Sequence, residues 1–342
     1  MVRVGEKMKA RRVKVVAIYK GKDITTSLSE YLTGFNFEDE EGTADTIQID
    51  LQDRHGKWHG PWLPEKHDEI RASIEILNDT HDGSKEVLDC GVFYVDDTSY
   101  SGPPDKVSIK AIAIPLPAGG KDEKNSRVWE NVMMSQMAGD IAASAGLKLI
   151  YDAPDYMYDR AVQDQETDLS YIKKRALKEG IAIKITSEYL VLYEQKKYEN
   201  KKALLSLRRG VDDIKDYSFK EDSNAKGYKK IEITYFDNQK KKNTKYIYEV
   251  PGVSDGPTFK SNERAKNLAE AKRFANNIAR EKNKKVKTGS MTLKGNPKLL
   301  TGYTVQIIGF AKFDGKYFIE KTSHDVTGGY DTKISFREVL SY

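Results

Sequence analysis

The chain has 342 residues, 38% apolar and 32% charged, with a formal net charge of +5. That length suits two or three domains, and 20 tyrosines with 11 phenylalanines supply cores, which excludes a disordered chain. No stretch approaches about twenty apolar residues, so a helical membrane span is excluded, and a single cysteine, Cys90, excludes an internal disulfide or a cysteine-rich metal site.

The N-terminal sequence MVRVGEKMKARRVKVVAIY lacks a continuous apolar core and does not read as a secretory signal. Charge is uneven along the chain. Residues 1–22 hold eight Lys or Arg and one Glu, whereas 23–97 hold nineteen Asp or Glu and five Lys or Arg. Residues 260–287 reverse the sign, with ten basic and three acidic residues. Such asymmetry can orient neighbouring subunits or serve nucleic-acid binding.

In chain order, Val13, Val15 and Ala17 alternate as a strand that turns at Gly21. Ile47, Ile49 and Leu51 face one way and Gln48 and Asp50 the other. Further strands are predicted at 70–77, 86–95 and 106–114, with Cys90 in a strand core beside Leu88 and Val92. Pro115, Pro117 and Gly119-Gly120 close this unit. Six or more antiparallel strands imply a sandwich or a small barrel, and closure would remove exposed edges.

The period then changes. After Asn125-Ser126, the positions Trp129, Val132, Met133, Met137, Ile141, Ala142 and Ala145 predict one face of a helix ending at Gly146. Thr167-Asp168 caps a second helix that carries Leu169, Ile172 and Ala176 and stops at Gly180. A hairpin follows over 181–185 and 189–193. The unit is small and has neither GxGxxG nor GxxxxGK[ST], which excludes a doubly wound nucleotide fold.

Strands return at 229–236 and 244–250, turning at Asp237-Asn238. A helix is predicted at about 262–282, with Ala265, Leu268, Ala269, Lys272, Ala275, Ile278 and Ala279 inward, widened by Phe274. The last fifty residues alternate between glycine turns. Tyr303, Val305 and Ile307 share a parity, Asp314-Gly315 leads to Tyr317 and Ile319, and Gly328-Gly329 leads to Ile334 and Phe336.

No reaction centre stands out. His55, His59 and His67 lie in RHGKWHGPWLPEKH, whose glycines and prolines deny them the helical spacing of a zinc motif, so they read as a loop anchored by Trp58 and Trp62. Acid pairs such as Asp96-Asp97 and Asp212-Asp213 are too numerous to select one, and the acidic run 38–41 reads as a solvated turn. Ser323-His324-Asp325 has the residue types of a triad but only by adjacency. Lys266, Lys272, Arg273, Arg280, Lys282, Lys284, Lys285 and Lys287 could meet phosphates, but no reading motif accompanies them and a solvated helix face is the simpler account.

Several pieces in order carry a resemblance: Ala44 to Asp53 with Trp58; Gly91 to Asp97; Arg127, Trp129, Tyr158, Gln163 and Thr167 to Tyr171; Gly295 to Pro297, Gly302, Gly315 to Tyr317, His324, Gly329-Tyr330 and Thr332. Together they resemble the phage late control gene D protein family, the baseplate hubs of contractile tails and related injection systems. The T4 baseplate hub and the N-terminal part of VgrG spikes belong to the same group.

The resemblance implies a mainly β fold with an α/β insert. Two tail-tube-like β-barrel domains, 1–122 and 201–342, would flank a small mixed unit at 123–200. It also implies a non-enzymatic homotrimer that joins a six-fold tail tube to a three-fold spike in a virion or injection particle, made in the host bacterial cytoplasm. Partners would be the tube protein, a spike and other baseplate proteins, with tape-measure protein a candidate occupant of the channel. No β-helical segment follows Tyr342, so the spike would be a separate chain. No cofactor, metal or catalytic residue is expected. Trp58, Trp62, Trp129, Tyr303, Tyr317, His324 and Tyr330 are the packing or interface candidates. The alternatives are a carboxylate-based cell-wall hydrolase and a nucleic-acid binder using the 260–287 face.

Overall fold

The computed structural model describes residues 9–114, 123–221, 227–237 and 239–342. The turn expected at Pro115 to Gly120, Asn238 and the N-terminal basic residues up to Met8 lie outside the described residues.

The first part of the chain forms β1 (Arg12–Tyr19), β2 (Lys22–Asp23), α1 (Thr25–Ser29), β3 (Leu32–Glu40), β4 (Thr46–Gln52), β5 (Glu69–Leu77), β6 (Lys85–Ser101) and β7 (Lys106–Ile112). Two-residue periodicity sends Ile47, Ile49 and Leu51 of β4 inward, where they join Phe35, Ile74, Phe93 and Ile109 in one core. Cys90 is buried there, and burial pushes its thiol up.

Next come β8 (Lys124–Met133), α2 (Met134–Ser144), β9 (Lys148–Asp152), β10 (Met157–Thr167), α3 (Asp168–Lys178), β11 (Ile181–Ile185), β12 (Tyr189–Glu194) and α4 (Gln195–Glu199). α3 starts where its cap predicts, with the Thr167 hydroxyl accepting from the Ser170 N–H, and ends before Gly180 at φ +72°. The helix predicted from Ser126 onward begins only at Met134. Residues 124–133 are strand because β10, some thirty residues later, supplies their antiparallel partner. The helical spacing of Trp129 and Val132 is coincidental, since a nonlocal ladder overrides a local period.

The remainder comprises β13 (Leu205–Arg208), β14 (Ile214–Glu221), β15 (Lys230–Asp237), β16 (Lys242–Glu249), β17 (Thr258–Ala265), α5 (Leu268–Asn283), β18 (Lys287–Lys294), β19 (Thr304–Ile308), β20 (Gly315–Val326) and β21 (Asp331–Glu338). α5 starts later than expected. The Asn267 side chain accepts from the Glu270 N–H at 2.9 Å, which caps the helix there, and the preceding residues pair as β17 beside β15. Its buried stripe is Ala271, Phe274, Ala275 and Ala279, so Leu268 and Lys272 face solvent instead of the core.

The expected pair of closed barrels is absent. β1 to β7, β13, β14 and β18 to β21 form one open thirteen-stranded sheet whose path runs β14-β18-β21-β20-β3-β4-β7-β6-β5-β1-β2, with β19 and β13 branching from β20. The reason is a shared edge. β21 lies along one side of β20, and the other side is divided: residues 315–318 pair with β19 and 321–326 with β3. Closing the first strand set on itself would need the outer edge of β3, which β20 already occupies. The architecture is mixed α/β dominated by sheet, with smaller sheets β10-β8, β11-β12-β9 and β16-β15-β17.

A buried ion cluster ties these parts together. Arg337 of β21 is fully buried and donates to Glu199 at the end of α4 (2.6 Å) and to Glu320 of β20 (2.9 Å). Arg280 of α5 donates to the other Glu199 oxygen at 2.5 Å. Burial opposes the charge on Arg337, but Glu199 and Glu320 hold its guanidinium above the usual range. Removing one partner of such a pair leaves a buried charge uncompensated. Glu199→Met, which leaves the buried guanidiniums of Arg337 and Arg280 without their shared carboxylate, is therefore expected to cost about 3–5 kcal/mol, measured by urea unfolding, whereas Arg71→Met, at the exposed Arg71–Asp89 pair, should cost less than about 1 kcal/mol.

Candidate assembly surfaces

The loop after β4 is built on Asp53. Its buried carboxylate accepts from the Trp58 N–H (3.1 Å), the His59 N–H (2.9 Å) and His59 Nδ1 (2.6 Å). Burial alone would raise this carboxyl, but those donors hold it below the usual range. Trp58 is buried, whereas Trp62 is 40% exposed. The two rings meet edge-on at 5.5 Å, Tyr31 packs edge-on against both, and the Lys57 ammonium sits 4.6 Å over Trp62. The loop thus displays an aromatic tip on a hydrogen-bonded base. His55 packs on Tyr31 and His59 on Tyr100.

Trp129 of β8 stacks on Tyr171 of α3 at 5.5 Å. Arg175 lies over Tyr171 and Tyr158, and the Tyr158 hydroxyl donates to Glu179 at 2.7 Å. Arg273 of α5 donates to the same Glu179 at 2.7 Å, which extends this ladder into the next unit. Arg127 pairs with Asp168 at 2.5 Å, and Gln163 donates to that carboxylate at 2.8 Å.

The four terminal candidates divide. Tyr317, His324 and Tyr330 are buried, whereas Tyr303 precedes β19 and is 48% exposed, unlike Val305 and Ile307. A bulge between Ile319 and Lys321 explains His324. It reverses the inward parity, so Thr322 and His324 point in after Tyr317 and Ile319. His324 stacks on Phe37, its Nε2 lies 3.0 Å from the Leu299 carbonyl and its Nδ1 lies 2.8 Å from the Tyr330 hydroxyl. The Tyr330 ring covers Gly295, where a Cβ would lie 2.1 Å from it, so only glycine fits.

The chemical alternatives find little geometry. Ser323 and His324 are strand neighbours and point to opposite faces, so no triad forms from them. Among the described residues, no group of three His, Cys, Asp or Glu is placed to hold a metal. The acidic run 38–41 is not a solvated turn. Strand alternation buries Asp39 against Lys184 at 2.7 Å and leaves Glu38 and Glu40 flanking Lys321. Glu41 accepts from Tyr193 and Gln195, each at 2.6 Å, and burial raises its carboxyl.

The basic helix is largely engaged internally. Lys266 pairs with Asp159, Arg273 with Glu179, Arg280 with Glu199, Lys284 with Glu281 and Lys287 with Glu338. Arg273 and Arg280 on α5 itself are thereby tied to Glu179 and Glu199 on neighbouring elements, so much of this charge is spent inside the protein.

Exposed apolar side chains lie instead near free strands. Among the described residues β14 pairs only with β18, and Tyr217 on it, together with Val211 and Ile308, is exposed. Val128 and Val162 pair across the outer face of β8 and β10, also exposed. Free edges and apolar patches of this kind mark contact surfaces in assemblies.

Similarity over nearly the full length links this architecture to solved structures. A tail protein from Neisseria meningitidis MC58 superposes with a TM-score of 0.70 at 12% identity, covering 95% of this chain and 96% of that one. The chain shares its fold with phage tail proteins. The 43 kDa tail protein of prophage MuSo2 from Shewanella oneidensis gives 0.67 at 15% identity, covering 94% and 97%. An E. coli type VI secretion component, itself similar in structure to the T4 bacteriophage tail proteins gp27 and gp5, gives 0.57 at 9% identity, covering 98% and 78%. No protein-family model and no curated protein matches the chain.

His324 yields a prediction. Burial lowers its imidazole from 6.5 to about 4, so the unfolded chain binds the extra proton between those values. Its contribution to stability is full above pH 6.5 and is lost as pH falls toward 4, about 3 kcal/mol in all. Urea unfolding between pH 7 and 4.5 should show this slope in the native sequence and a flatter one in His324→Gln.

Proposed function

We propose that the chain is a structural component of a phage-tail or injection-system baseplate, acting as the hub between tail tube and spike. The observation that carries this reading is the end-to-end match to tail proteins, 95% of this chain against 96% of the Neisseria protein. The earlier sequence resemblance to late control gene D hubs supports the same place in the particle. In this reading the protein has no catalytic task. Three copies form a ring, the tube protein binds one face, a separate spike chain binds the other, and further baseplate proteins and the tape-measure protein contact its periphery and channel. The units 1–122, 123–200 and 201–342 would be its modules.

Closed cyclic symmetry requires each copy to present two complementary surfaces. The aromatic tip at Trp62, exposed Tyr303 and the free edge of β14 supply candidate contacts, while Trp58, Trp129, Tyr317, His324 and Tyr330 hold the supporting packing. Mass measurement of the purified chain, alone and with its spike partner, tests the assembly. Trimers are expected in at least the second condition. A chain that stays monomeric in both overturns the hub reading.

A further inference from the structure

The backbone joint between β4 and β11 is short. It holds a parallel bridge, Ala44 with Ile185, and two flanking hydrogen bonds: the Gly42 N–H donates to the Ile183 carbonyl at 2.7 Å and the Asp45 N–H to the Ile185 carbonyl at 3.4 Å. Side chains add to it: Tyr193 and Gln195 donate to Glu41, Lys173 donates to the Gly42 carbonyl, and Ile112 and Ile114 pack with Ile183 and Ile185. A cleft of about 490 Å³ opens along it, walled by Ala44, Thr46, Ile112, Ile183 and Ile185. The Ser187 hydroxyl, 3.4 Å from the Val92 N–H, is a further contact between β6 and the middle unit.

Three ionisable groups meet inside this joint. Lys184 of β11 donates to Asp39 of β3 at 2.7 Å, and the other Asp39 oxygen accepts from the Thr301 N–H at 3.0 Å. Asp45, just before β4, is buried as well, and its Oδ1 has no hydrogen-bond partner. Beside the cleft there are therefore two buried carboxyl groups and one ammonium, and the ammonium is already paired. A lone buried carboxylate is costly, whereas a neutral acid is not.

We propose that this joint is a proton-dependent latch, closed with a proton on the Asp45 carboxyl and loosened when that proton passes to solvent. Loss of the proton leaves a net negative charge between β4 and β11, which favours water entry along the cleft. Two charged groups face the Asp45 carboxylate: Asp39 repels it from β3, whereas Lys184 attracts it from β11. Cys90 on β6 is a neutral thiol, held so by burial and by Asp89 and Asp45. His324 on β20, which interacts with Asp39, is held neutral by burial, so it adds no cation at neutral pH. The Tyr303 hydroxyl lies near Lys184 and brings no positive charge. Burial pushes the Asp45 carboxyl up from 3.8 to about 8, with Lys184 opposing and Asp39 adding to the rise.

The sign follows. The closed joint binds one more proton than the open joint between 3.8 and about 8. Its stability therefore falls as pH rises through that window and levels off above it. The test is amide hydrogen exchange at Gly42 and Asp45 in the full chain, corrected for intrinsic rates, at pH 6.5 and pH 8. In the native sequence, protection at both amides should fall by about tenfold or more, since one proton gives up to tenfold per pH unit, while β15 amides stay unchanged. Asp45→Asn should keep the same protection at both pH values, and Asp45→Ser serves if that variant fails to fold. Unchanged protection in the native chain, or an equal fall in the Asp45 variant, overturns the latch.

Discussion

The divided edge of β20 is the constraint on which the rest of this structure depends. β21 runs along one side, while β19 and β3 share the other, and the change of partner coincides with the bulge between Ile319 and Lys321. Glu320 sits at that point, and its carbonyl accepts from the Glu41 N–H at 2.9 Å while its carboxylate meets Arg337. One twelve-residue strand thus joins two strand sets into a single open sheet. It also turns His324 toward Phe37 and brings Arg337 within reach of Glu199. A straight ladder would have continued the parity of Tyr317 and turned His324 to the opposite face, the one that carries Phe318.

Charge performs an unusual share of the joining. Glu199 binds Arg337 and Arg280, Glu179 binds Arg273 and Tyr158, and Asp39 binds Lys184 and Thr301. Each set links elements that are distant in sequence. Buried ion pairs add little net stability compared with apolar packing, but a misplaced partner is strongly penalised, so they favour one relative placement of the units. The alternation of acidic and basic blocks along the chain is thereby partly internal: α5 is held to Glu179 after α3 and Glu199 on α4, while Lys266 before it and Lys287 on β18 reach β10 and β21. Among the described residues, the Trp62 tip and the β14 edge are the aromatic and backbone surfaces left open by this internal pairing.

Local patterns were readable where one face meets one core. β4 alternates cleanly because Ile47, Ile49 and Leu51 all enter the same cluster. α3 was readable from Thr167 to Gly180 because its cap and stop are local chemistry. β8 was not, since its partner β10 lies beyond an intervening helix and strand. The stripe of α5 is legible from Phe274 to Ala279 but not in its first turn, where Leu268 is exposed while Ala271 faces the sheet. Tyr303 shares the parity of Val305 and its carbonyl accepts from the Ile319 N–H at 2.9 Å, yet its side chain is exposed at the strand end, which no alternation rule detects. Among the candidate contacts, the histidine and tryptophan loop was legible as a loop, but its base on Asp53 was not, because three donors converge on that carboxylate only after folding.

The sequence by itself determined the strand-rich composition, most strand positions and the capped helix at Thr167, since all of these follow from side-chain period and local backbone chemistry. Tertiary structure alone decided that the sheet stays open, that Asp39 and Arg337 are buried, and that His324 faces inward. Those outcomes rest on which strand takes the free edge of β20, and hydrogen bonds between residues as far apart as Phe37 and His324 are not encoded in any local period.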